Sequence, residues 1–275
     1  MREELTYYQI QLNKKHVPEG RLKAVFITDL HNSIWHGDRE YLPRLIEDQE
    51  PDVIFCGGDM LVATPGHSTD YAAWFLSRLS GEFPLFFAKG NHEFRAEIYP
   101  ETYGAMYPEF CEQVKDSGMI MLSNSSAEAV INGLPLQVTA IEIPREYYSR
   151  FGKQYKHLPV KEFIDEKPAG SRISILLAHN PKYASSYLKW GADLTLCGHY
   201  HGGIVRLKND VGLVSPALRP FTKLAHGLIE RNGKSLIISA GLGEHTLPLR
   251  INNPRELVVF EIENRHGDKN GSDTR

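Results

Sequence analysis

At 275 residues, with a formal charge of −3 and a pI near 6.5, the chain fits one large α/β domain or two small ones. Its 41% apolar and 24% charged residues are those of an ordinary soluble protein, and nothing in the overall charge marks a nucleic-acid binder. No apolar run approaches the roughly 20 residues needed to span a bilayer. The three cysteines, Cys56, Cys111 and Cys197, have no CxxC spacing, which argues against a disulfide framework.

Met1 to Leu12 is polar and alternating, without the apolar core of a signal peptide. A cytoplasmic location is therefore the default expectation, replaced by export or membrane anchoring if a further segment precedes this sequence. Residues 1–22 read as an edge strand and lead-in. Lys23–Thr28, Val53–Cys56 and Leu85–Ala88 are then short, near-continuous apolar runs, the pattern of strands covered on both faces. Between them, Arg39–Glu50 places Leu42, Leu45 and Ile46 on one helical face, with Pro51 as a stop. Asp70–Leu79 groups Ala73, Leu76 and Leu79, with Thr69 or Asp70 as N-cap. This β-α-β-α-β opening predicts parallel strands with helical crossovers. Further strands are predicted at Met119–Leu122, Glu128–Ile131 and Leu136–Ile141, the last two joined by the hairpin pair Asn132-Gly133. Ile173–Ala178, Leu194–Cys197, Ile204–Leu207, Gly227–Glu230, Leu236–Ser239 and Leu257–Glu263 follow, with Asn232-Gly233 as a second turn of the same kind.

An αβ first half and a strand-rich second half predict an α/β (α+β) domain over residues 23–263, two mixed sheets packed together with helices outside. Residues 264–275 read as a disordered tail. Two stretches, 94–108 and 144–168, look like lid insertions. The second is the most basic-aromatic part of the chain (Arg145, Tyr147, Tyr148, Arg150, Phe151, Lys153, Tyr155, Lys156, His157), which makes it the candidate substrate-facing lid.

Polar clusters stand where the strand-like runs stop: Asp29-Leu30-His31, Gly58-Asp59, Gly90-Asn91-His92-Glu93, His179, and Gly198-His199-Tyr200-His201. In open α/β sheets, ligands collect outside the carboxyl ends of the strands. Alternation along an extended chain would put Asp29 and His31 on one side, and likewise His199 and His201. Two carboxylates, four imidazoles and one amide, with no thiolate, suit Mn, Fe or Zn better than Mg or Ca. A closed structural zinc site would be rich in cysteine. Seven ligands are too many for one ion that also holds substrate, and about right for two ions sharing a carboxylate. Two divalent ions facing Asp29, Asp59 and a bridging hydroxide keep a residual positive charge, which invites a phosphate ester.

In that order and spacing, Asp-x-His, Gly-Asp, Gly-Asn-His-Glu, His and Gly-His-x-His resemble the calcineurin-like metallophosphoesterase superfamily, over about Val25 to Glu261. Gly198 to Gly203, Gly241-Leu242-Gly243 and Pro248-Leu249-Arg250 resemble a bacterial subgroup of it. That subgroup holds exported or membrane-anchored phosphodiesterases and enzymes like UDP-2,3-diacylglucosamine pyrophosphatase. The resemblance implies a four-layer αββα sandwich and two divalent or trivalent ions. Asp29, His31 and His201 would hold the first ion, Asn91, His179 and His199 the second, and Asp59 would bridge them. It implies in-line attack on phosphorus by a hydroxide between the metals, with His92 as the catalytic histidine at the leaving group. Glu93 is expected in a supporting or structural part.

Arg95, His245, Arg250 and the ligand Asn91 are candidate substrate contacts, Arg250 by a bidentate phosphate grip or else in a structural ion pair. His16, His36, His67, His157, His226 and His266 lie in polar stretches and read as surface residues. The expected substrate is a small-molecule or lipid-linked phosphomonoester, phosphodiester or pyrophosphate, with no nucleic acid and at most peripheral membrane contact. A nuclease would add a basic groove with stacking aromatics. A protein phosphatase would want an open groove, and a non-catalytic module would have lost ligands; none is missing.

Overall fold

The structure is a computed structural model, and it describes residues 3–148, 155–165, 167–203, 212–214, 220–222, 226–244 and 250–266. The first sheet contains β1 (Glu3–Leu12), β2 (Gly20–Ile27), β3 (Val53–Cys56), β4 (Leu85–Ala88), β5 (Ile120–Leu122) and β14 (Arg255–Asn264). The second contains β6 (Ser125–Ile131), β7 (Leu134–Ala140), β8 (Ile173–Leu177), β9 (Leu194–Cys197), β12 (Gly227–Arg231) and β13 (Lys234–Ile238). A small hairpin pairs β10 (Gly212–Val214) with β11 (Pro220–Thr222). Sheet one runs β1-β14-β2-β3-β4-β5 and sheet two β12-β13-β9-β8-β7-β6. From β2 to β5, and from β13 to β7 through β9 and β8, the pairing is parallel. The antiparallel partners are β14 on β2, β12 on β13, and β6 on β7.

Alternation within the strands divides the apolar residues between layers. Ala24 and Phe26 of β2 lie between the sheets, where Phe55 packs its ring 5.9 Å from Phe86 and 6.1 Å from Phe260. Val25 and Ile27 turn the other way, beneath helices α1 (Tyr41–Glu47), α2 (Asp70–Ser80), α3 (Asn91–Ile98), α4 (Pro100–Tyr103) and α5 (Met106–Val114). On the far side of sheet two, Leu176, Cys197 and Ile238 pack against Tyr183 and Tyr187, the latter on α6 (Ala184–Trp190). Three clusters separated by two sheets make the αββα sandwich. They also explain why strands buried on both faces read as unbroken apolar runs.

Three local expectations need correction. The Arg39–Glu50 helix shrinks to Tyr41–Glu47, because Glu50 already sits at φ +49. Thr69 does not cap α2: its own backbone is helical, and its hydroxyl donates to Gln113 Oε1 at 3.0 Å. Residues 94–108 are not an excursion but the helical layer itself, with Ala96 and Met106 buried against sheet one. The expected strand Ile204–Leu207 lies outside the described residues. Cys56 and Cys197 are buried and all three cysteines are free.

At the N-terminal ends of the parallel strands, Asp193 fastens the first sheet's lead-out to the second sheet. Its Oδ2 accepts from Lys14 Nζ at 2.5 Å and from Ser174 N and Oγ at 2.9 Å, and its Oδ1 accepts from Lys234 Nζ at 2.8 Å. Burial alone would raise the Asp193 pKa, but the hydrogen bonds from the two lysines hold it below the usual value. A carboxylate depressed in the folded state contributes fully above its unfolded pKa of about 3.9, and that contribution is lost as pH falls through the folded value. Asp193→Asn should therefore cost about 1.5–3 kcal/mol at pH 7. In urea unfolding the gap from the parent protein should close as the pH drops below about 4. Equal stability at pH 7 would contradict this role.

Candidate metal centre

The clusters meet at the carboxyl ends of β2, β3 and β4 in one sheet and β8 and β9 in the other. The loops after β2 and β3 run together: Asp29 N donates to Gly58 O at 2.9 Å, His31 N to Asp59 O at 3.1 Å, and Asn32 N to Met60 O at 2.9 Å. The side chains do not converge by strand alternation, as the spacing suggested. Asp29 (φ +53), His31 (+48), Asp59 (+54), His199 (+70) and His201 (+48) all adopt left-handed backbone. That conformation costs a non-glycine residue roughly 1–2 kcal/mol and persists where the surroundings force it. Two glycines make it fit. A Cβ on Gly58 (φ +86) would run into the Gly90 backbone, and one on Gly198 into Asp29 Oδ2 and Thr28 Oγ1.

Ligand-type atoms fall into overlapping groups. Those of Asp29, His31 and His201 lie within 4.8 Å of one another, as do those of Asp59, His179 and His199, and those of His31, Asp59 and His92. His31 Nε2 is 3.1 Å from His201 Nε2, and the latter is 3.3 Å from Asp29 Oδ1. Asp29 is fully buried: Oδ2 accepts from Thr28 Oγ1, the His199 amide is shared by both oxygens, and Oδ1 also faces His201. Burial raises its pKa, against the pull of His179.

His179 Nδ1 stands 2.8 Å from Gly57 O, so this nitrogen carries a proton and Nε2 turns to Asp59. Nε2 lies 3.0 Å from Asp59 Oδ2, yet the contact lacks hydrogen-bond alignment and the buried nitrogen is left without a partner. Burial would lower the His179 pKa, but Asp59 and Asp29 raise it to about 9. The carboxylates thus draw positive charge to this nitrogen, a place a metal ion takes from a proton. Asn91 Oδ1 is also buried with no donor. Buried acceptors without donors are rare and call for a cation or a water. The donor set therefore fits metal ions.

His92 opens the second turn of the same story: its amide donates to Asp59 Oδ1 at 2.7 Å, and its ring stands edge-on to His31 at 4.7 Å. Ala63 N donates to His92 Nδ1 at 2.9 Å, so in the neutral ring Nε2 holds the proton. Burial is the largest cause lowering its pKa, to about 3. Glu93, fully buried, accepts from the amides of Asp59, Met60, Leu61 and Gly90 and so ties the loops after β3 and β4 together.

The remaining candidates divide. Arg95 lies against His92, with its Nη2 3.1 Å from Nδ1 and 3.2 Å from Nε2. Arg250 is engaged by backbone carbonyls and by His201. It donates to Pro254 O at 3.0 Å, Ala240 O at 2.8 Å and Gly243 O at 2.5 Å, and reaches His201 Nδ1 at 3.2 Å. His245 lies outside the described residues, as do 149–154 and 166 of the expected lid. His226 is not a surface residue: it is buried, with Nε2 2.5 Å from Glu256 Oε1.

Two residues near the centre escaped the sequence reading as individuals. The Tyr148 ring meets His199 edge-on at 5.3 Å, a place hinted at only by the aromatic content of its segment. Lys89, buried just before Gly90, bridges Glu97 and Glu142 at 2.5 Å each. Nothing in the sequence pairs those three.

Residues 22–203 match the family model described as calcineurin-like phosphoesterase. The chain belongs to this family. An uncharacterized metallophosphoesterase of Aquifex aeolicus is 26% identical over 94% of this chain and 91% of that one. The phosphodiesterase YaeI of Escherichia coli is 27% identical over 87% and 82%. Among solved structures, the phosphopantetheinyl hydrolase PptH of Mycobacterium tuberculosis aligns at a TM-score of 0.45 and 14% identity, over 78% of this chain and 88% of that one. As a family member carrying this Asp/His cluster, the chain is a metal-dependent phosphoester hydrolase. Among the described residues, no helix is long and apolar enough to cross a membrane.

Proposed function

We propose that Asp29, His31 and His201 hold one metal ion and Asn91, His179 and His199 a second, with Asp59 shared between them, and that the pair serves hydrolysis of a small-molecule or lipid-linked phosphate ester. The observation that carries the reading is the buried Asn91 Oδ1, an acceptor without a donor, in a site where His179 Nε2 also stands 3.0 Å from the Asp59 carboxylate. Imidazole, carboxylate and amide donors without thiolate favour Mn, Fe or Zn. Bound ions would supply Lewis acidity and lower the pKa of water into the neutral range.

The chain's own groups supply the rest. The His92 amide holds Asp59 Oδ1, and Oδ2 faces His179 Nε2 at 3.0 Å. The Ala63 amide fixes the His92 tautomer, which leaves Nε2–H to donate to the leaving oxygen. His92→Ala should keep its metal and lose about 10²–10³ in kcat. Metal analysis beside initial rates on bis(4-nitrophenyl) phosphate and 4-nitrophenyl phosphate, with Mn²⁺ and then a chelator, tests both claims. The name of the E. coli relative makes a diester the first substrate to try. Loss of both ions from the His92 variant would refute its role. Two tightly held ions with no turnover of any phosphate ester would refute the whole reading.

A further inference from the structure

Residues 157–162 pack beside α6 on the outer face of sheet two, and a cavity of about 580 Å³ lies between them. That is the size of a small-molecule site. Leu158, Pro159 and Val160 form one wall, with Leu158 and Val160 buried, and Trp190 of α6 belongs to the other. The Leu158 amide donates to Ser186 Oγ at 3.0 Å, which ties the first wall to the helix. The indole Nε1–H of Trp190 is buried and has no acceptor among the described residues. Buried donors in that state are rare, and a ligand oxygen at this wall would answer it.

The rim is charged and lopsided. Lys161, Lys189 and Glu162 line it, all exposed, and none of them forms an ion pair among the described residues. Two ammonium groups against one carboxylate leave a single positive charge at the mouth of an apolar space. A ligand with an apolar chain and one negative charge matches both features. A neutral chain would leave the charge unanswered, and a dianion would overshoot it.

The cavity also connects with the metal centre. Tyr155 and Phe163, which flank 157–162 in the chain, both pack on Tyr147, with ring centroids 4.5 and 5.7 Å away. Tyr147 O accepts from the Tyr183 hydroxyl at 2.7 Å, and the next residue, Tyr148, meets the His199 ring. A ligand that shifts the 157–162 wall therefore shifts the support of Tyr148.

We propose that this cavity binds a medium-chain carboxylate, its chain between Val160 and Trp190 and its head at Lys161 and Lys189, and that filling it alters His199 through Tyr147 and Tyr148. The binding half is independent of the function proposed above; the coupling half rests on His199 as a metal ligand.

Binding is read from the tryptophan fluorescence of the full chain with 10-bromodecanoate, whose bromine quenches an indole on contact. The chain has three tryptophans, Trp35, Trp74 and Trp190, so Trp190→Phe assigns the signal. The parent protein should quench saturably. The quench should vanish in Trp190→Phe and in Ser185→Phe, whose new ring fills the cavity that Ser185 lines. Lys161→Gln with Lys189→Gln should weaken decanoate about five- to tenfold, and so should exchanging decanoate for decanol. No quench in the parent, or a quench that survives Ser185→Phe, would overturn the site. Equal affinity for decanol would overturn its anionic head. Sedimentation with phosphatidylglycerol vesicles without binding of monomeric decanoate would make the groove a membrane surface and overturn the proposal as well.

For the coupling, saturating decanoate should change Mn²⁺ affinity about fivefold in the parent, Mn²⁺ should change decanoate affinity by the same factor, and Ser185→Phe should show neither. Decanoate that binds and leaves Mn²⁺ affinity unchanged would overturn the coupling. Parent protein that binds decanoate but no Mn²⁺ would overturn the metal reading beneath it and leave the site standing.

Discussion

Asp59→Asn is expected to leave the chain folded but unable to retain its metal, with kcat/KM lower on the order of 10³-fold or more. The amide keeps the volume and one oxygen to accept from the His92 amide, which now sits 2.7 Å from Oδ1. What disappears is the charge. In the metal-free protein Asp59 opposes ionisation of the buried Asp29. Burial alone would raise the Asp59 pKa too, but His179 and His92 hold it well below the usual carboxylate range, so its charge stabilises the fold and the variant without metal should melt below the parent at neutral pH. With metal the gap should widen, because an ion that binds only the folded state stabilises it by mass action. The parent protein should gain several degrees on adding Mn²⁺ and the variant almost none. Metal content after gel filtration and melting with and without Mn²⁺ decide it. A variant that retained two ions per chain would remove Asp59 from the shared position.

Much of this centre was legible in the sequence because its logic is local. A strand that stops at Ile27, Cys56, Ala88, Leu177 or Cys197 and is followed within a few residues by Asp, Asn or His delivers those groups to one end of the sheets. Both-face burial made the strands visible as apolar runs. The conformation of the loops that carry the proposed ligands was not legible. Asp29, His31, Asp59, His199 and His201 hold left-handed backbone that their own side chains disfavour. They are kept there by hydrogen bonds to loops far along the chain, such as Asp29 N to Gly58 O and Gly243 N to Asp29 O. Topology escaped for the same reason. Strand β14 slots between β1 and β2, pairing Glu3 with Arg255 and Gly20 with Asn264, and no local pattern announces a partner so distant. His226 was misjudged because its partner, the buried Glu256, comes into reach only after folding, and the carbonyls that engage Arg250 were invisible for the same reason. A sequence shows what a residue can bond to and leaves open whether that capacity is already taken.

Glu93 is the sharpest instance. Its place next to His92 says little, yet it should rank with the proposed metal ligands when replaced. Oε2 accepts from Asp59 N at 2.8 Å and Gly90 N at 2.9 Å, and Oε1 from Met60 N at 2.7 Å and Leu61 N at 3.3 Å. A glutamine has one accepting oxygen, so whichever way its amide turns, two backbone N–H groups face an NH₂. Each orphaned buried donor costs roughly 1–3 kcal/mol. Glu93→Gln should therefore lose about 2–6 kcal/mol, with a matching fall in melting temperature. Glu93→Ala leaves all four donors and a void, and should lose more, about 4 kcal/mol or above. The loss reaches function through geometry, since the same amides fix the backbone of Asp59 and the start of the helix that presents Asn91 and His92. Metal affinity in Glu93→Gln should drop about 10- to 100-fold, as for partners that orient metal ligands. Calorimetric unfolding with Mn²⁺ titration reads both effects on one sample. If the melting temperature fell while Mn²⁺ affinity stayed at the parent value, Glu93 would be a fold element only, and the loops after β3 and β4 would hold Asp59 in place without it.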